Sequence, residues 1–158
     1  MLLIAQLVAC GLIAAWLITG VWDNIVYPAN NEAYTAEVMR MARMREAFPE
    51  EYARVAHRVV EDRGLQRLAF RIVVIAELAG AIVLTVATVL LAGAVLGLAG
   101  TSFALGTAML GATLFTAVWG GFLVVGNYFC YWFCHEGAQN THYQMTLWGL
   151  GTLILLAQ

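Results

Sequence analysis

One carboxylate, Glu77, interrupts the largely apolar run from Leu68 to Leu96, which is entered through Arg67 and Arg71. An ionised acid inside such a segment is costly unless a partner or a wet cavity satisfies it. Two roles follow: a structural hydrogen bond to a neighbouring helix, or a site for a proton, an ion or a ligand. Arg71 and His142 are the partners the sequence offers. Chemistry is densest in the stretch Asn127-Tyr128-Phe129-Cys130-Tyr131-Trp132-Phe133-Cys134-His135-Glu136, followed by Gln139, Asn140 and His142. Cys130 and Cys134 are four residues apart, a spacing that puts two thiols on one helix face, and His135 with His142 would complete a soft-metal donor set.

Zinc sites usually pair their cysteines in two separated clusters, so an aromatic interface girdle with buried thiols competes with the metal reading. No metal or other cofactor is expected. The string C-x-x-x-C-H from Cys130 to His135 is one residue longer than the usual haem attachment motif and abuts a membrane helix. Met39, Met41 and Met44 would offer thioethers to Cu(I), but methionines on an amphipathic stripe serve packing. Nothing in the chain supplies a nucleophile with its base, a phosphate loop or a paired-carboxylate hydrolase site, so no residue is assigned as catalytic.

The elements that position these groups follow from composition. Of 158 residues, 62% are hydrophobic and 11% charged, against about 45 to 50% and about 25% in soluble domains. So few charges cannot cover the apolar surface, and the core must continue into a bilayer. All eight basic residues are arginines, between Arg40 and Arg71, interleaved with acids from Asp23 to Asp62. That mixture is no basic footprint, and nucleic acid is not an expected partner.

Met1 to Trp22 is long enough to cross a hydrocarbon core of about 30 Å. It lacks the basic leader of a secretory signal and is expected to be retained. Pro28, Asn30 and Asn31 are read as a turn. An amphipathic helix then runs from Asn31 to Phe48, and Pro49 opens a second one that Gly64 caps. The chain is thus expected to be an all-α membrane protein, one domain of four transmembrane helices at about 1-22, 68-96, 103-133 and 142-158. A polar, amphipathic helical cap at about 31-64 lies between the first and second spans. Gly120 and Gly121 offer a kink in the third. Ala76, Gly80, Gly93, Gly97, Thr107, Gly111 and Gly120 permit close helix approach. Cys10 behaves as a small hydrophobe.

Gly126 to Trp132 reads G-N-Y-F-C-Y-W, followed by Gln139 and Asn140, while Trp22 to Asn24 reads W-D-N. With the acid-bearing second helix and the chain length, this pattern resembles a bacterial family of predicted small integral membrane proteins of unknown function. The resemblance covers most of the chain and implies a four-helix membrane fold. Family members typically carry an acid where Asn127 stands and small or polar residues where Cys134, His135 and Glu136 stand, so this chain is a divergent branch. No activity, cofactor or catalytic residue comes with the resemblance.

The expected function is a non-catalytic accessory or structural subunit of a larger membrane complex. Its partners are the bilayer and other membrane subunits, met through Glu77, Asn127, Trp132, Gln139 and Asn140. The alternative is a small carrier, sensor or redox/metal-binding module using Glu77 and the Cys130 to His142 region. The expected location is the bacterial inner membrane, multi-pass. The arginine-rich cap is expected in the cytoplasm by the positive-inside rule.

Overall fold

The computed structural model describes residues 1–158, and helices are its only regular elements. The apolar N-terminal run forms α1, Leu2–Val26. Pro28 ends it: proline lacks an N–H and disfavours helical backbone at the preceding residue, so Tyr27 leaves the helix and Pro28 starts α2, Pro28–Met39, as its first residue. The expected turn at Asn30 and Asn31 is therefore already helical.

The amphipathic helix expected through Phe48 breaks at Met41, which adopts a left-handed backbone (φ 49°) before α3, Ala42–Ala47. That conformation costs a non-glycine residue about 1 to 2 kcal/mol. The break lets Met41 and Met44 both drop into a small core with Phe129 and Cys130, where they are 2% and 4% exposed. Burying two such side chains, at about 1.5 to 3 kcal/mol each, offsets the strain.

Pro49 opens α4, Pro49–Val55, with Glu50 and Glu51 in its first turn, where carboxylates complement the helix dipole. A 3₁₀ turn, Ala56–Arg58, follows. Gly64 is not a C-terminal cap. Asp62 accepts from the Leu65 N–H (2.8 Å) and starts α5, Arg63–Val95, placing Gly64 inside its first turn. Gly97, with φ +74°, reverses the chain after α5, so its freedom serves the turn and not helix packing.

Helix α6, Thr101–Tyr128, runs unbroken through Gly120 and Gly121. It ends five residues short of the expected boundary because Cys130 turns left-handed (φ 52°) and Tyr131–Phe133 winds into a 3₁₀ turn. Gly126 makes this reversal possible: a Cβ there would stand 2.8 Å from the Tyr131 ring folded back over it. Helix α7, Glu136–Leu156, starts six residues before the expected fourth span.

Three helices, α1, α5 and α6, are long and apolar enough to cross a membrane. Helix α5 packs between α1 and α6, α7 lies against α6, and α1 closes back on α7. The core runs through Cys10, Ile13, Leu17, Leu84, Leu91, Ala108 and Phe115, all nearly inaccessible. Backbones approach closely where side chains vanish: Cβ atoms at Gly80 and Gly111 would meet Leu17 (3.0 Å) and Leu84 (2.8 Å). At Gly149 of α7 a Cβ would overlap Thr116 of α6. Gln6 Nε2 donates to the Leu155 carbonyl (3.0 Å), tying α1 to the last turn of α7. The connector α2 to α4 and the α6–α7 turn share the opposite end.

Candidate functional site

Glu77 is 5% exposed. Its partner is neither Arg71 nor His142 but Asn24, in the last turn of α1, whose Nδ2 donates to Glu77 Oε2 (2.7 Å). Asn31 Nδ2, on α2, in turn donates to Asn24 Oδ1. A polar ladder therefore climbs from the buried acid through a buried asparagine to an exposed one. Antiparallel packing explains the register: the first turns of α5 run beside α2, so Asn24, in the last turn of α1, meets α5 near its midpoint, where Glu77 stands. The W-D-N string contributes its asparagine to this pair.

The Cys130 to His142 region does not assemble as one site. Cys130 terminates α6 and Cys134 follows the 3₁₀ turn, so the two thiols do not share a helix face. Both are free, and no three His, Cys, Asp or Glu side chains come together as a ligand set. Cys130 packs with Met41, Met44 and Phe129. Arg58 reaches over this core, donating to the Tyr128 carbonyl (3.2 Å) with its guanidinium 5.4 Å from the Tyr128 ring centre.

His135 is 5% exposed and pairs through Nδ1 with the Tyr34 hydroxyl (2.9 Å), joining the α6–α7 turn to α2. Arg43 stands 5.8 Å from the Tyr34 ring, forms an ion pair with Glu37 and donates to the Cys134 carbonyl. His142 lies elsewhere, stacked on Phe122 (4.6 Å between ring centres) and near Tyr131 and Trp119. His142 Nδ1, Trp119 Nε1 and Tyr131 OH are buried without a hydrogen-bond partner. Asn127, Trp132 and Asn140 are exposed and Gln139 half-buried, so these four present surface and do not line a cavity at Glu77. Met39 packs beside the small core and Met41 and Met44 lie within it, as packing groups.

Over residues 2–158 the chain matches the family described as predicted small integral membrane protein (DUF2165). The chain belongs to that family. Its membership makes it an integral membrane protein with transmembrane helices, in accord with the three long apolar helices. No match was found among curated proteins or among solved structures. The geometry of this family member therefore bears the functional question alone.

Sequence reasoning missed Tyr34 as the partner of His135, 101 residues away. A phenol on the one connector helix that starts beside Pro28 was the available signal. This pair carries a pH dependence. Burial, then the Arg43 guanidinium, lower the His135 pKa from 6.5, with Glu37 opposing. The unfolded or undocked chain takes up the proton first, so stability is fully present above about pH 6.5 and falls as the pH drops from there toward the lowered folded value. The melting temperature in detergent should decline from about pH 7.5 to about pH 5.5, and His135→Gln should flatten that slope. An identical slope in the variant would assign the effect to other groups.

Proposed function

We propose that the protein is a non-catalytic accessory or structural subunit of a larger membrane protein complex. The observation carrying this is the Glu77–Asn24 bond. The one acid placed where a transport or catalytic group would sit is engaged by a helix neighbour and sealed by packing. Its chemistry is that of a tie between α1 and α5. His135 is engaged likewise by Tyr34, while Asn127, Trp132 and Asn140 remain exposed at the same end.

In this proposal α7 is the fourth span. Its 21 residues rise about 31 Å at about 1.5 Å each, about the thickness of a hydrocarbon core. The connector α2 to α4 forms a polar cap that faces the cytoplasm of a bacterial inner membrane, as its arginines favour. A photo-crosslinking amino acid at Trp132 or Asn140, in native membranes, should join one other polypeptide reproducibly. Adducts to lipid alone would remove the case for a docking face there.

A second role, a small carrier or sensor, draws on the Glu77–Asn24–Asn31 ladder, because linked polar groups running from a buried acid to the surface are what a proton or ion path requires. Glu77→Gln decides between them. A subunit keeps its assembly and function with glutamine at that position, whereas a proton or ion path loses its titrating group.

A further inference from the structure

We propose that the groove between α2 and the start of α5 binds a phosphate-type anion, supplied by the headgroup of an acidic membrane lipid. The groove measures about 380 Å³ and is lined by Pro28, Ala29, Glu32, Arg40, Arg63 and Arg67, among others. Three arginines stand there against one carboxylate. Glu32 engages Arg67 (Nε to Oε1, 2.9 Å). Arg40 and Arg63 form no ion pair and no side-chain hydrogen bond, and Arg40 Nε is buried without any partner. Asp62, beside Arg63, caps α5. Two guanidinium groups are thus left uncompensated around one concavity, a geometry that suits the oxygens of a phosphate.

Position selects the lipid as the source. Tyr27, 61% exposed, immediately precedes Pro28 at the mouth of the groove, and Trp22, 65% exposed, stands on α1 below it; exposed aromatics of this kind mark the interfacial region. On the membrane side of the groove Ile25 and Val26 of α1 and Leu68 and Ile72 of α5 expose apolar side chains to receive acyl chains. Basic pockets where membrane helices meet the interface hold acidic headgroups by this combination.

Native mass measurement of the full chain, with phosphatidylglycerol or phosphatidylcholine added to the detergent, tests the proposal. Phosphatidylglycerol should be retained in preference. Arg40→Gln with Arg63→Gln should weaken that retention on the order of tenfold, as loss of two charged contacts predicts. Arg45→Gln with Arg54→Gln, which removes equal charge outside the groove, should not. Glu32→Gln frees Arg67 and should strengthen retention, a gain that a misfolded variant could not give. Equal retention of both lipids, or no difference between the two arginine pairs, would overturn the proposal. Binding of inorganic phosphate that phosphatidylglycerol does not displace would reassign the groove to a soluble anion.

Discussion

Gly149→Leu is expected to unseat α7 from α6 and to destabilise the protein by on the order of 3 kcal/mol or more, at the upper end of overpacking effects. The position of a Cβ at Gly149 overlaps Thr116 Oγ1 and lies 3.1 Å from both Phe115 Cδ1 and Thr116 Cβ. Phe115 is fully buried and cannot yield without displacing the core shared by α5 and α6. Glycine lets the α6 and α7 backbones approach closely, so forcing them apart removes the contact itself. Gly151→Leu is the internal control, because nothing lies within 4 Å of its Cβ position. Folded yield and denaturation midpoint in one detergent should fall for Gly149→Leu and hold for Gly151→Leu. Equal behaviour of the two would mean that α7 does not dock as described.

Glu77→Ala should impair assembly more than Glu77→Gln. Glutamine still offers an oxygen to Asn24 Nδ2, whereas alanine strands a buried donor at a cost of about 1 to 3 kcal/mol. Asn24→Ala should reproduce most of the alanine effect from the other side. A double-mutant cycle between the two positions should return a coupling on the order of 1 kcal/mol, within the range measured for hydrogen bonds between membrane helices. Asn24→Asp, which sets a second carboxyl against the first, should be the most damaging change at this pair. Additive effects of the two alanine substitutions would show that the bond contributes nothing to folding.

Much of the helical order could be read from composition and punctuation. The apolar runs placed α1, α5 and α6, and Pro28 and Pro49 stand where elements change. Other features depended on contacts distant in sequence. Nothing local joins Asn24 to Glu77 or Tyr34 to His135, and only the antiparallel packing of the helices brings each pair to one depth. The apolar run through Phe133 concealed the end of α6. That break depends on a left-handed Cys130 and a tyrosine ring lying over Gly126, and neither leaves a mark in hydropathy. Gly149 and Gly126 were not among the small residues singled out, because a glycine's importance depends on what faces it. The thiols and imidazoles of the Cys130 to His142 stretch were near in sequence only, since the 3₁₀ turn and the two helix ends send them to different neighbours.

The subunit role is tested most directly by the mass of the native particle. The tagged full chain, extracted with its surrounding lipid in a polymer nanodisc, should carry a second membrane polypeptide at fixed stoichiometry across independent preparations. Glu77→Gln should leave that ratio unchanged, and Glu77→Ala should lower it together with the folded yield. A particle that holds this 17.2 kDa chain alone, or copies of it alone, at full yield and with its native function intact would contradict the proposal.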